Sequence, residues 1–587
     1  MKNEINGQEL YQLFKSGVNE IEKNKDLLNR INVFPVADGD TGSNLLYTLQ
    51  SAVIYSENSN SAIDTLKSIS DNAITYARGN SGIIFSEFIH GLSFYNQAEE
   101  IDVSNFIKMV NHSSDRLYEV VKNPIEGTVL TVIRKWSSYI ESLNVSSFND
   151  LFDLSLPILK QGVHETTKEL KDLQKHKVPD SGAMGFYLLI EGFSHYINGT
   201  YETSTSDWKK FEEFELHEDF HDEKYQYCTQ FFIKDIQGDL SNLIQELEMY
   251  GDSIAYSGDT KFLNLHMHTD QPWMISKLLY GKGNIVNSKV DDMKIQNKHR
   301  DHKEKIGIVT DSIADISQEV MDEYDIGLIS MNLLMDNNVY LDKKTIQVDD
   351  FLKFVQNSKE FPSSSQPNDQ QIKYEIGHFL DYYEKLILIT VSKQLSGTHQ
   401  GFLKVIENNP EFKGRVILVD SYLNSGGQGL FVKKVAELAR ASTSFEDLIQ
   451  QIYIMRSRIE IYVALNNFEN LSRSGRINTR IATFANQLKM KAILSLDKQG
   501  KGKAYGFSLR AKSLEKKIFK EIKKALKRGP IEEYVLVYSN ESNAFQDFRN
   551  KVEALLNKAP SYCIPISSAT ALHVGKDSIA IAFVGVE

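Results

Sequence analysis

Apolar residues recur at helical spacing through the first two hundred positions. Leu10, Phe14, Val18, Ile21 and Leu28 fall at three-, four- and seven-residue steps and make one stripe of a first helix. Similar runs cover 63–74, 83–92, 106–121, 129–143 and 158–173, which predicts an all-helical domain over 1–205. Residues 200–222 are polar and charged and read as a linker. Beyond them, 226–233 and 262–268 look like strands of a small α+β middle domain, placed at 222–290. From 287 to 305 the chain turns charged again, which reads as a second, solvated linker. From 304 to 587 short β-rich runs at 306–310, 386–391, 416–419, 462–465, 534–538 and 579–584 alternate with helices. That alternation predicts an α/β domain on a substantially parallel sheet, and the chain as a whole is multidomain.

Composition narrows the function class. The 587 residues carry 66 basic and 78 acidic side chains, a formal charge of −12, which argues against nucleic acid as a partner. Phosphate recognition must then be local. Cys228 and Cys563 make no disulfide framework, and no apolar run reaches the roughly 18 residues of a membrane span. The first residues do not read as a signal peptide. The expected setting is the cytoplasm, without stable membrane insertion.

The interruptions of the helical pattern carry the chemistry. Asp38 and Asp40 flank Gly39 in a loop that Pro35 keeps from continuing the preceding helix, so both carboxylates can face one hard cation such as magnesium. Taken alone, Asp-Gly-Asp also fits a solvated turn. Thr41-Gly42-Ser43-Asn44 opens the next helix, and Arg78-Gly79-Asn80-Ser81-Gly82, Glu126-Gly127-Thr128 and Asp180-Ser181-Gly182-Ala183-Met184-Gly185 each precede another. Glycine with Ser or Thr at a single helix start is ordinary capping; several of them beside an aspartate loop suit a nucleotide.

In this order the four motifs resemble the ADP-binding domain of dihydroxyacetone kinases. The leading Asn32-Val33-Phe34-Pro35-Val36 resembles the branch found in bacterial fatty acid kinase. The resemblance implies a barrel of antiparallel helices that binds ATP or ADP with Mg2+. It makes Asp38 and Asp40 the metal ligands, and Thr41, Ser43, Asn44, Asn80, Ser81, Gly82, Thr128, Asp180 and Gly182 the nucleotide contacts. Where the dihydroxyacetone kinases have a further upstream aspartate, this chain offers Asn32.

In the middle segment His266 and His268, two apart on a strand, share a face, and a Cys228 thiolate on another strand could complete three ligands of a zinc site. Half-exposed strand histidines are the alternative. These motifs resemble the middle domain of fatty acid kinase, which implies Zn2+; no fourth ligand is evident.

In the C-terminal segment hydroxyl-rich loops follow strand ends, where α/β sheets place ligands, although capping and turn chemistry accounts for some of the serines. Thr310-Asp311-Ser312, Ser365-Gln366-Pro367, Leu395-Ser396-Gly397-Thr398, Val419-Asp420-Ser421, Ser474-Gly475-Arg476-Ile477 and His573-Val574-Gly575 resemble the DegV family of fatty-acid-binding proteins across 304–587. The resemblance implies an apolar tunnel for an acyl chain, with its carboxylate held by Ser364, Ser365, Ser396, Arg476 and His573, and Arg473 as a second candidate cation. The family usually has Thr where Ser364 stands.

Together these likenesses imply a fatty acid kinase with its acyl carrier in one polypeptide, with Asp38, Asp40 and Arg476 as the catalytic candidates. A carboxylate nucleophile needs no general base at neutral pH, so positioning and cations would carry the transfer. Fatty acid is the expected partner. Another copy of the chain and a separate fatty-acid carrier or acyltransferase protein are left open as further partners. Two rival readings stand beside it: a lipid-binding regulator whose nucleotide domain only senses, and a kinase for a small hydroxy-ketone of the dihydroxyacetone type.

Overall fold

The stripe of Leu10, Phe14, Val18 and Ile21 is buried on α1 (Gly7–Lys23), whose cap residue Asn6 and third residue Glu9 hydrogen-bond each other reciprocally. Asn24 ends that helix, so Leu28 falls on a separate short α2 (Lys25–Arg30). The computed structural model describes all residues except 35–38, 122–123, 201–207, 209–210, 212–223, 259, 299–302, 359, 443, 478 and 587. Most of the expected linker at 200–222 therefore lies outside the described residues, as does Asp38.

The chain divides into two units, Met1–Gln271 with Leu279–Asp301 and Pro272–Leu278 with His302–Glu587. Unit 1 begins with a strand pair, β1 (Glu4–Ile5) and β2 (Ile101–Asp102), and continues through α3 (Thr41–Ile54), α4 (Ala62–Tyr76), α5 (Gly79–Tyr95), α6 (Val103–Val120), α7 (Val129–Glu141), α8 (Phe148–Glu169), α9 (Lys171–His176) and α10 (Ser181–Asn198). Helices α1, α3, α4, α5, α6, α7, α8 and α10 pack each on the next, and α10 returns to α1, closing a ring. Trp136, Phe85 and Phe88 meet Phe186 edge-on inside it.

The same unit holds an antiparallel sheet in the order β4-β5-β3-β6, from β3 (Tyr227–Lys234), β4 (Asp252–Gly258), β5 (Phe262–Thr269) and β6 (Asn284–Asp292), with α11 (Leu240–Leu247) and α13 (Met293–Lys298); α12 (Pro272–Leu279), between β5 and β6, falls to unit 2 except for its last residue. Strand β6 and α13 correct the reading of a solvated linker at 287–305 as far as Lys298; residues 299–302 lie outside the described ones. The alternate β6 residues Asn287, Lys289 and Asp291 are polar because that face meets polar groups, and Lys289 and Asp291 are buried.

Unit 2 contains β7 (Glu304–Asp311), α14 (Gln318–Tyr324), β8 (Gly327–Ile329), β9 (Asn332–Met335), β10 (Asn338–Leu341), α15 (Val348–Asn357), β11 (Ser363–Ser365), α16 (Asp369–Tyr382), β12 (Tyr383–Thr390), α17 (Thr398–Asn408), β13 (Val416–Asp420), α18 (Ser425–Ala441) and α19 (Phe445–Ser457). It ends with β14 (Ile459–Leu465), α20 (Glu469–Arg473), α21 (Thr479–Gln487), β15 (Lys491–Leu496), β16 (Gly502–Ser508), α22 (Ala511–Arg528), β17 (Glu533–Tyr538), α23 (Asn543–Leu556), β18 (Cys563–Pro565), α24 (Ser568–Val574) and β19 (Ile579–Val584). The expected parallel sheet is there as β13-β12-β7-β8. The later strands instead build a second sheet, β16-β15-β14-β19-β17-β18, antiparallel except at its last pair, because a short apolar run fixes strand identity but not direction. Helix α18 lies between the two sheets and shares one core with Ile308, Ile387, Ile461, Val535 and Ala582. Among the described residues no helix is long and apolar enough to cross a membrane.

Candidate functional sites

In unit 1 four helix starts meet. A single Asp180 oxygen accepts the N–H of Ala183 (2.7 Å) and of Val129 (3.0 Å), tying the first turns of α10 and α7 together. A Cβ on Gly182 would stand 3.4 Å from Ser81 Oγ, which brings α5 to the same point. Gly79, at φ +62, lies so close to Asn44 that a Cβ there would be 2.5 Å from its amide nitrogen; only glycine fits both the conformation and the approach to α3. Positive helix ends therefore gather where the sequence motifs sit. Burial pushes the Asp180 carboxyl up to about 6 against the pull of its two N–H donors, so this residue braces the helix ends.

The remaining predicted nucleotide contacts lie around these starts. Thr41, Ser43, Asn44, Gly82 and Thr128 are buried, and Asn29 holds Ser43 through its backbone N–H (3.0 Å) and its hydroxyl (2.9 Å). Asn80 Oδ1 is buried without a protein partner, a polar atom available to a ligand. Asp40 precedes α3 but does not cap it with its side chain, so its buried carboxylate is not spent on its own helix. The Asp40 carboxylate is the group a divalent cation would use there, and the Lys289 ammonium pairs with it at 3.6 Å.

Lys289 comes from β6 and was not visible in the sequence. Its Nζ donates to Asn44 Oδ1 at 2.9 Å and pairs with Asp291 at 2.5 Å. Two more side chains of the sheet join it: Gln230 accepts from Gly79 N and donates to Ala77 O, both at 2.9 Å, and Asn287 donates to Thr75 O. The polar face of the sheet thus closes on the loop before α5 and on the start of α3.

The same face carries the expected metal set. Asp252, His268, Cys228 and Asp291 are cross-strand partners in one row; His266, Gln230 and Lys289 form the next row on that face. Ligand atoms of Cys228, His266 and His268 lie within 4.8 Å of one another, with Cys228 Sγ 3.8 Å from His266 Nδ1. All three are buried. Burial, helped by His268 and Lys289, holds His266 down to about 3. Burial also lowers His268, although Asp252 and Asp40 pull the other way. Both imidazoles are neutral at pH 7 and ready to ligate; one thiolate and two imidazoles fit zinc.

Unit 2 carries a cavity of about 610 Å³, open to solvent near Arg476, Gly502 and Phe507 and within the range of small-molecule sites. Ile461, Val463, Phe468, Leu494, Leu496 and Phe507 supply apolar wall, and Ser364, Ser396, Arg476 and His573 line it together. Burial and the neighbouring Arg476 hold His573 down to about 4, so its ring is neutral at pH 7. His573 Nδ1 and Asn424 Oδ1 are buried at this cavity without protein partners; Asn424, next to the Asp420-Ser421 motif, was overlooked in the sequence. Two expectations are corrected. Ser365 is exposed and outside the lining, since neighbours on β11 point to opposite faces. Arg473 also lies outside it, stacked on Phe361 with 4.3 Å to the ring centre. The loops around the cavity are pinned by buried acids: Asp342 accepts from Ser312 and from the first N–H groups of α24, and Asp311 from Val391 N and Gln428.

Three family models match the chain in succession: a DAK2 domain at 35–195, a fatty acid kinase-like middle domain at 224–300, and the DegV family, described as uncharacterised, at 305–586. An uncharacterized protein of Mycoplasma genitalium is 27% identical over 330 residues, covering 51% of this chain and 58% of its own. One of Staphylococcus haemolyticus is 29% identical over 326 residues, covering 52% and 58%. The chain thus spans a little over half the length of these curated relatives. A DegV family protein from Thermus thermophilus, described for its fatty acid binding, has a solved structure that is 24% identical and matches 48% of this chain and 100% of its own with a TM-score of 0.44.

Proposed function

We propose that the chain transfers the γ-phosphoryl group of ATP to a fatty acid carboxylate, giving an acyl phosphate, with kinase and acyl carrier joined in one polypeptide. In this reading the three domains are 1–205, 222–290 and 304–587. The observation that carries it is the pairing of two sites in one chain: Asp40 and Lys289 at converging helix starts, and an apolar cavity lined by Ser364, Ser396, Arg476 and His573.

Asp40, with Asp38, would hold magnesium, which when bound neutralises phosphate charge. The helix starts of α3, α5, α7 and α10 would bind the polyphosphate through first-turn N–H groups other than those of Ser43, Gly79, Val129 and Ala183, which side chains of this chain already accept. Cys228, His266 and His268 would hold zinc. The cavity would take the acyl chain at roughly 0.8 kcal/mol per buried methylene, while the Ser396 hydroxyl, the Arg476 guanidinium and a neutral His573 N–H hold the carboxylate. That carboxylate is already the nucleophile, so the chain has no proton to remove and acts by placement.

The test is incubation of the purified chain with γ-labelled ATP and either oleate or dihydroxyacetone. Label passing into a hydroxylamine-sensitive lipid product supports the proposal. Label on dihydroxyacetone, or nucleotide binding without transfer to either acceptor, would replace it with one of the rival readings.

A further inference from the structure

The Lys289 ammonium, 6% exposed, lies between two buried carboxylates, Asp40 at 3.6 Å and Asp291 at 2.5 Å, and reaches Asn44 at 2.9 Å. A buried ammonium is tolerated only when paired, and here one of its partners is the residue placed to receive the nucleotide's metal ion. We infer that Lys289 competes with the divalent cation for Asp40 and so makes cation binding depend on nucleotide. This rests on the kinase reading and adds a positioning residue to it.

An ammonium and a divalent ion within reach of one carboxylate repel each other, so Lys289 disfavours the bare metal at Asp40. Nucleotide removes the conflict, because its polyphosphate offers the ammonium other oxygen partners and the metal further ligands. The two ligands are then coupled, each raising the affinity for the other. Lys289 sits on the sheet while Asp40 precedes α3, and Gln230 holds the sheet to the neighbouring start of α5 through Ala77 O and Gly79 N, where Gly79 packs on Asn44 of α3. The sheet therefore makes cation binding at the helical ring depend on nucleotide.

The experiment is titration of the zinc-loaded full chain with Mn2+, read by electron paramagnetic resonance, with and without a non-hydrolysable ATP analogue. Lys289→Met should bind Mn2+ about tenfold more tightly than wild type without nucleotide, and the analogue should enhance its binding less. Lys289→Arg, which keeps the charge, should behave as wild type. Lys289→Gln, which keeps a hydrogen-bond donor but not the charge, should follow Met and serves if Met disturbs the fold. A residue that merely packs would leave Mn2+ affinity unchanged or weaken it in both neutral variants, and that result overturns the inference. Tightened Mn2+ binding in a chain that never transfers phosphate would support the inference and sink the kinase reading. Absence of Mn2+ binding by wild type, with or without the analogue, overturns both.

Discussion

The helix starts of unit 1 are buried while the cavity of unit 2 is partly open to solvent, and the two are built on opposite principles. Around Asp40 the protein buries charge against charge: Lys289 between Asp40 and Asp291, with two imidazoles kept neutral beside them. Around Ile461, Val463 and Leu494 it lines a cavity mainly with apolar atoms, and two of the polar ones, on His573 and Asn424, have no protein partners. Removing the Lys289 charge leaves two buried carboxylates uncompensated, and removing either carboxylate changes the net charge of the first site, whereas trimming one polar group from the second leaves its apolar wall intact. Unit 1 should therefore respond to isosteric charge changes and unit 2 only weakly.

The largest expected effect is at Asp40. Asp40→Asn should lower phosphoryl transfer by about a hundredfold or more, since it removes a carboxylate placed for a metal, while bound fatty acid measured by mass spectrometry stays as in wild type. Turnover within a few fold of wild type would erase the distinction between the sites. Next, His268→Ala should release zinc from the purified chain, read by elemental analysis, and again leave acyl binding alone. Retained zinc would mean that the three side chains do not act as one ligand set.

Arg476→Ala should be milder. Arg476 is exposed at the cavity, so losing its contact to a carboxylate should cost about 1 kcal/mol, roughly fivefold in oleate affinity by calorimetry. A loss of a hundredfold would show unit 2 to be as charge-dependent as unit 1. The smallest effect concerns pH. Burial raises Asp311 and Asp342 from 3.8 to about 6, so the folded chain binds these protons more tightly than the unfolded one. Their contribution to stability is full below pH 4 and is lost as the pH rises through 6. Asp342→Asn should flatten that fall in thermal melting between pH 4 and 6; an unaltered slope would show that Asp342 titrates normally.

The two sites also differ in how far the sequence revealed them. Asp40, Asn44, Asn80 and Asp180 sit at helix starts, where glycine, serine and threonine punctuate an apolar period, so the motif and its place in the fold are local. His266 and His268 needed only a period of two, while Cys228, on another strand, was joined to them as a possible third ligand. Lys289 escaped because β6 turns polar residues inward against polar loops, and a strand buried on a polar face has the composition of a linker. Ser365 was included with Ser364 although neighbours on a strand cannot both face one cavity. The second sheet of unit 2 was hidden in part because its pairing joins β14 to β19, far apart in sequence at Ile459 and Ile461 against Val584 and Ala582, beyond any local pattern.

The most direct measurement takes the full chain as purified, adds ATP and Mg2+ alone in the presence of hydroxylamine, and counts acyl hydroxamate per chain. If the cavity carries fatty acid that the helical ring phosphorylates, hydroxamate should form in proportion to the bound fatty acid, and the Asp40→Asn chain should form it about a hundredfold more slowly or not at all. Bound fatty acid recovered unchanged from the wild-type chain, with ATP intact, would contradict a kinase joined to its own carrier.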